Sequence, residues 1–262
     1  MRTDDPLVSV KGASRHYADG THNRKIALNG IDLEIFQNEL VAVVGPSGSG
    51  KSTLLQLLGG IDSPTRGDIE VAGHRISAMD EKKRTLFRRS HVGFIFQAFH
   101  LVPSMTVAEN VGLSAIVSDK KAACWKADAL ILLDQLGLYE YADKFPEQLS
   151  GGQRQRVAVG RAMFSKPSLI LADEPTGSLD SKNRDVVLGL IRAAIDDGIR
   201  TGGLMVTHDL HAAGYADRIV ALSDGTIVGQ LDQTAAGREH DSERGATHRE
   251  ERVRSWFASV PL

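Results

Sequence analysis

Residues Gly45-Pro46-Ser47-Gly48-Ser49-Gly50-Lys51-Ser52 fill the pattern G-x-x-x-x-G-K-S/T at every defined position. The apolar run Leu40-Val41-Ala42-Val43-Val44 precedes it and reads as a buried parallel strand. Thr53-Leu54-Leu55-Gln56-Leu57-Leu58 follows and reads as the first turns of a helix. Strand, glycine-rich turn and helix start together demand an α/β fold. Three glycines let the backbone curl so that successive N–H groups point inward at phosphate oxygens. The helix N-terminus adds its partial positive charge. Lys51 supplies a mobile cation for the outer phosphates, and the Ser52 hydroxyl suits Mg²⁺. A glycine-rich βα turn that binds nothing needs neither the lysine nor the serine. This is a nucleotide phosphate site.

At 262 residues the chain suits one α/β domain with a small subdomain. A net charge of −2 with 24 % charged residues offers no global basic field for nucleic acid. Cys124 is the only cysteine, which excludes an intrachain disulfide or a cysteine-rich zinc site and fits a reducing compartment. Met1-Arg2-Thr3-Asp4-Asp5-Pro6 is too polar and acidic for a signal peptide. No apolar run approaches the ~20 residues that span a bilayer. The expectation is a soluble, cytosolic chain.

In chain order, Leu7-Val8-Ser9-Val10 predicts a strand ending near Gly12. Tyr17, taken alone, is an edge-of-sheet tyrosine; the alternative is a flat face for a purine base. Ile31-Asp32-Leu33-Glu34-Ile35 alternates as a half-buried strand should, and Asn38 suits a left-handed turn position. Asp68–Gly73 reads as a short strand. Lys82-Lys83-Arg84 and Arg88-Arg89 read as a solvated basic helix face rather than a nucleic-acid contact. His91–Gln97 reads as a strand ending on glutamine; Gln97 either caps the sheet or reaches a metal or water in the crevice. Helices are predicted over Thr106–Ile116, N-capped by Thr106 or Ser104, and over Lys121–Leu136. The second puts Trp125, Ala129, Leu132, Leu133 and Leu136 on one face and stops at Gly137. This helical stretch interrupts the strand pattern and predicts an inserted subdomain, about residues 100–165.

Ser150 and Gln153 have capping-box spacing at the start of the next helix. That spacing does not explain Gly151-Gly152, since each glycine costs about 1 kcal/mol in a helix interior; at a helix start they permit close approach to an anion. Ser168–Ala172 predicts a buried strand running into Asp173-Glu174, two carboxylates that are expensive there unless a cation or water uses them. Asp173 suits Mg²⁺ held mainly through water, and Glu174 suits a water-positioning residue or general base. Thr176–Asp180 turns into a helix over Ser181–Asp197, and Gly203–Thr207 is a buried strand. His208 at its end is, alone, a structural histidine. Arg218–Gln230 predicts a hairpin turning at Asp224-Gly225. From Thr234 to Arg254 both charge signs alternate, which predicts a solvated or disordered tail with a helical end at Trp256-Phe257.

In this order the motifs resemble the ATP-binding subunit of an ABC transporter, from Leu7 to Gln230, leaving residues 231–262 as a charged tail. The resemblance implies a P-loop NTPase core with a mixed sheet, an N-terminal antiparallel β subdomain and an inserted α-helical subdomain. Tyr17 matches the adenine-stacking position, Gly45–Thr53 the Walker A motif, Gln97 the Q-loop, and Leu149-Ser150-Gly151-Gly152-Gln153 the signature. Leu169–Glu174 matches Walker B, Ser178-Leu179-Asp180 the D-loop, and His208 the switch histidine. Two copies of such a chain sandwich two ATP molecules head to tail, each phosphate loop facing Ser150 and Gly152 of the other copy. Glu174 then orients the attacking water, His208 holds the γ-phosphate, and Ser52, Gln97 and Asp173 organise Mg²⁺. The implied work is done on permease subunits carried on separate chains, placing the protein on the cytoplasmic face of the membrane, with no nucleic-acid partner.

Pro46–Gly50, Leu58-Gly59-Gly60-Ile61-Asp62 and Phe94–Pro103 resemble the lipoprotein-release and macrolide-export branch most. A regulatory relative that signals across the membrane without moving cargo has the same ATPase site. The pattern departs from the family at Asn38, where glycine is usual, and at Gly202-Gly203. Neither touches the proposed chemistry.

Overall fold

Two sheets organise the chain in a computed structural model that describes residues 5–18, 24–118, 121–196, 201–233 and 243–260. The expectations for residues 1–4, for Asp197 and for 234–242 lie outside the described residues. Strand β1 (Val8–Ala18) pairs antiparallel with β2 (Arg24–Ile35). Then β3 (Leu40–Val44) enters the phosphate loop and α1 (Lys51–Leu58) leaves it. β4 (Arg66–Val71) and β5 (His74–Arg75) return to the first sheet, whose order is β2-β1-β4-β5. Helix α2 (Glu81–His91) leads into β6 (Val92–Phe96). The inserted helices are α3 (Val107–Val111), α4 (Leu113–Ile116) and α5 (Ala122–Gln135). Helix α6 (Gly151–Met163) brings the chain back to β7 (Leu169–Asp173). Last come α7 (Ser181–Asp196), β8 (Gly202–Val206), α8 (Leu210–Gly214), β9 (Arg218–Ser223), β10 (Thr226–Asp232) and α9 (Glu243–Ser259).

The second sheet has the order β10-β9-β3-β8-β7-β6. From β9 to β6 every pair is parallel, and β10 closes the edge antiparallel to β9. Strands β3 and β8 are buried throughout, as the unbroken apolar runs require for a sheet covered on both faces. One face packs on α1 and the first sheet, through Leu54, Leu58, Val41, Leu171 and Leu204. The other packs on α6 to α9, through Val159, Leu188, Ile191 and Val253. Val107, Val111, Trp125, Leu133 and Leu149 form a separate helical core. The fold is the mixed-sheet P-loop core with antiparallel β and helical parts that the motifs imply.

Several local expectations are corrected. Strand β1 does not end at Gly12. This glycine has φ +59° and donates to the Asp32 carboxylate at 2.8 Å, so it makes a bulge through which pairing continues. His91 ends α2 rather than starting β6. The stretch 106–116 is two helices split at Gly112, where a β-carbon would strike the Trp125 ring. Thr106 is the N-cap, accepting from the Glu109 amide while Glu109 accepts from the Thr106 amide at 2.8 Å. In α5, Leu132 is only partly buried, while its other four stripe residues are buried.

The largest correction is α9. In place of a solvated stretch up to Arg254, a 17-residue helix starts at Glu243. It docks through buried Val253, with Trp256, Phe257 and Val260 packed on the same core. Gly214 of α8 lies close against it: a β-carbon there would sit 3.7 Å from the Glu250 amide nitrogen. Alternating charges hid this face, because its apolar residues are few and spaced three to four apart at the helix end.

His211 of α8 sits between two carboxylates, Nε2 2.7 Å from Asp185 of α7 and Nδ1 3.0 Å from Glu250 of α9. Burial alone would lower its pKa, but the bonds to Asp185 and Glu250 outweigh burial and the nearby Arg184 and raise it above 6.5. The bond from His211, and then that from Arg254, hold Glu250 below its ordinary 4.5. The His211 contribution is therefore full below pH 6.5 and lost as pH rises through its raised value; that of Glu250 is full above pH 4.5 and lost on acidification. Hydrogen-exchange protection of α9 amides is expected to be higher at about pH 6 than at about pH 8.5. His211→Asn should abolish the difference. An unchanged pH dependence in that variant would remove the triad as its cause.

Candidate active site

The parallel register brings the candidate side chains into one row. Phe96 pairs with Asp173, Asp173 with Val206, and Val43 with Val206. The residues just past these strand ends, Gln97, Glu174, Thr207-His208 and the phosphate loop, therefore lie side by side at the carboxyl edge of the sheet. That edge is where α/β folds bind ligands.

The phosphate loop owes its shape to what it touches. A β-carbon at Gly45 would collide with the Leu222 carbonyl, and one at Gly50 with the Ala27 carbonyl. Gly48, at φ +82°, has nothing within 4 Å of that position and faces open space. Pro46, Ser47 and Gly48 form the exposed crown, while Ser49 is buried with no hydrogen-bond partner for its hydroxyl among the described residues. The amides of Gly48, Gly50, Lys51, Ser52 and Thr53 have no acceptor among the described residues. A concave set of unsatisfied donors at a helix start is what an anion satisfies. Lys51 Nζ crosses the loop to the carbonyls of Gly45 at 2.9 Å and Pro46 at 2.8 Å. Burial lowers its pKa, against the opposing charges of Glu174 and Asp173.

Asp173 and Glu174 lie at the end of β7. Burial pushes the Asp173 carboxyl up, the Glu174 charge adds to this, and Lys51 opposes it. Glu174 adopts φ +47°, an uncommon conformation for a residue with a side chain. Its amide donates to the Val206 carbonyl at 2.9 Å. Its carboxylate meets His208: Oε1 lies 2.7 Å from Nδ1 and accepts from the His208 amide at 3.1 Å. The His208 ring is otherwise exposed. The pairing of Glu174 with His208 could not be read from residues 34 positions apart.

Gln97 packs against Gly177 in the turn after Glu174, where a β-carbon would lie 2.9 Å from the glutamine nitrogen. Tyr17 is opposite Lys25 on β2, two residues from Ala27, whose carbonyl touches the phosphate loop. Arg15 covers one face of its ring at 4.5 Å, and its hydroxyl donates to Asp62 at 2.9 Å. Ser150 caps α6, accepting from the Gln153 amide, while Gln153 accepts from the Ser150 amide at 2.8 Å. No hydrogen bond joins residues 150–153 to residues 45–53 among the described residues. Asp180 accepts from the amide and side chain of Asn183 at 2.9 and 2.7 Å, which holds its carboxyl below the usual range.

Three residues escaped the sequence reading. Thr207 donates to Glu174 Oε2 at 3.3 Å. Asn183, bonded to Asp180, packs against Gly152, where a β-carbon would strike its side-chain oxygen. Its spacing three after Asp180 is an N-capping signal. Gln155 is fully buried; the signal was a polar residue at helical spacing from Ala158, Val159 and Ala162.

Fold and site together define a P-loop nucleotide-binding domain of the ATPase class. The ABC transporter family model matches residues 28–177, more than half the chain, and the chain belongs to that family. An uncharacterized ABC transporter ATP-binding protein of Methanocaldococcus jannaschii is 42 % identical over 85 % of this chain and 98 % of its own. The lipoprotein-releasing system ATP-binding protein LolD of Xanthomonas oryzae pv. oryzae is 42 % identical over 84 % of this chain and 90 % of its own. The macrolide export ATP-binding/permease protein MacB 1 of Aeromonas hydrophila subsp. hydrophila is 44 % identical over 86 % of this chain but only 34 % of its own length. Among solved structures, a dimeric post-hydrolysis state of an ATP-binding cassette bound to ADP and Pi matches with TM-score 0.79 and 36 % identity, covering 87 % of this chain and 99 % of that one. The sequence resemblance to the lipoprotein-release and macrolide-export branch is borne out.

Proposed function

We propose that the chain binds ATP with Mg²⁺ and hydrolyses it as a head-to-tail homodimer, driving separate membrane permease subunits that extract or export lipoprotein, macrolide or peptide. The observation that carries this reading is the Glu174–His208 pair set beside Lys51 and a loop of unsatisfied amides. Among the described residues no group of three His, Cys, Asp or Glu side chains could hold a metal alone. Two adjacent carboxylates and a serine hydroxyl instead suit Mg²⁺, which keeps waters and phosphate oxygens in its shell. Ser52, Gln97 and Asp173 would hold it, and it would neutralise charge on the β- and γ-phosphates.

In this mechanism the loop amides and Lys51 bind and orient the phosphates, and Tyr17 offers its uncovered face to the adenine. Glu174 aligns water and accepts its proton, while His208, fixed through Nδ1, turns its other nitrogen toward the γ-phosphate. Ser150, Gly151, Gly152, Gln153 and Asp180 serve the site of a second copy, consistent with their lack of bonds to their own loop. Asn183, bonded to Asp180, packs that signature segment against the D-loop.

No helix among the described residues is long and apolar enough to cross a membrane. The reading also puts the permease on other chains and this one on the cytoplasmic face of the membrane. Mild-detergent extraction from native membranes, followed by mass spectrometry of what co-purifies, tests it. A permease with few spans and a large extracytoplasmic domain is expected. Ribosomal or nucleic-acid material without a membrane protein would overturn the transport role.

A further inference from the structure

We infer that Gln155, in the second turn of α6, is a positioning residue that sets the reactive geometry of Glu174 and Gln97 from beneath. The inference rests on the proposed role of Glu174. Gln155 is 0 % exposed, and its side-chain nitrogen donates to the Pro175 carbonyl at 2.6 Å and the Phe96 carbonyl at 3.3 Å. Pro175 directly follows Glu174, and Phe96 directly precedes Gln97. One amide thus clips together the chain segments that leave the neighbouring strands β7 and β6.

Its orientation follows from chemistry. Both neighbours are acceptors, so only the NH₂ end of the amide can face them. The oxygen end then has no partner among the described residues. A buried unpaired oxygen is a cost that an apolar side chain of the same size would avoid. Packing alone does not call for glutamine here.

What the bond holds is a strained segment. Glu174 has positive φ, a conformation that persists only when its surroundings over-determine it. Its amide is fixed by Val206, and the Pro175 carbonyl is fixed by Gln155. The same helix grips the other segment as well. Arg161 donates to the carbonyls of His100 and, at 2.8 Å, Phe99, both with positive φ, and Arg154 lies over the Phe99 ring. Helix α6 also begins with the signature residues, so their placement and that of Glu174 share one rigid element. Lys51 and the loop amides, which would carry the phosphates, have no bond to Gln155, so the main anchorage of ATP does not run through it.

The test is steady-state ATPase kinetics of Gln155→Met, which keeps length and volume but has no donor. The expected result is a kcat lowered about tenfold, with KM for ATP within about twofold, since misplacing a reacting group costs rate rather than ground-state binding. An unchanged kcat, or a KM that rises as kcat falls, would overturn the inference. Gln155→Glu gives a second measure should the methionine variant not fold. A neutral carboxyl there can donate one bond to Pro175, whereas its ionised form repels both carbonyls. Its kcat relative to the parent protein should fall as pH rises through its titration, with KM flat; a flat kcat ratio would overturn the role. Glu174→Gln run alongside separates the two ideas. Normal turnover there removes the reading on which Gln155 depends, while a dead Glu174→Gln with an unaffected Gln155→Met removes the role of Gln155 alone.

Discussion

Glu174→Gln is expected to lower ATP turnover by about 10²–10³-fold while leaving ATP affinity intact, because general-base assistance contributes about that much to such reactions. The amide keeps the size and a hydrogen-bonding oxygen for the His208 amide, now 3.1 Å from Oε1. It can no longer take a proton, and it no longer holds a negative charge beside His208 Nδ1. Removing that charge also relieves Asp173, whose carboxyl the Glu174 charge helps to push up. Binding should therefore survive or improve as the acidic side of the site becomes less repulsive to phosphate. If closure follows ATP binding and reopening follows hydrolysis, the variant should accumulate as a nucleotide-bound dimer. Turnover by phosphate release, ATP affinity by calorimetry and mass by light scattering read the three consequences. Normal turnover would end the assignment of Glu174.

The fold was legible in the sequence where local chemistry and tertiary packing agree. The phosphate loop carries its strand, turn and helix signals within 19 residues, 40–58. The capping box of Ser150 and Gln153 and the left-handed Asn38, at φ +57°, also formed as their residue types require. What the sequence could not show were contacts made at long range. Gly12 looks like a terminator until Asp32, 20 residues on, supplies a partner for its amide. Gly112 looks tolerable in a helix until Trp125 needs the space. Helix α9 looked solvated because its anchors, Val253, Trp256 and Phe257, join a core built by distant elements, Ala212 and Ala213 of α8 and Val228 of β10 among them. In the site, Gln97, Glu174 and His208 were visible as residue types at strand ends, but their partners were not. Glu174 with His208 and Gln97 with Gly177 depend on strand order, and β3-β8-β7-β6 is not written in any local pattern; Asn183 with Gly152 depends on how α7 packs on α6.

Lys51→Ala should act on the other half of the cycle, weakening ATP binding by about 10–100-fold, in keeping with the ~1.5–3 kcal/mol of a hydrogen bond to a charged group. Lys51 is drawn down in pKa by burial and held charged by Asp173 and Glu174. Deleting it removes the loop's own cation and leaves Asp173 and Glu174 facing the polyphosphate. The loop amides remain and the helix still points its N-terminus at the anion, which is why the loss is partial. Two carbonyl oxygens, those of Gly45 and Pro46, also lose the ammonium group that bridges them. The Pro46 bond is exposed and the Gly45 bond only partly buried, so water can replace most of what the donor supplies and thermal stability should change little. Lys51→Arg keeps the charge but not the compact ammonium that fits between the two carbonyls, and should restore only part of the affinity. Calorimetric titration with ATP and Mg²⁺ gives the numbers. An undiminished affinity in Lys51→Ala would mean that phosphate binds elsewhere, and the row of strand-end residues would lose its substrate.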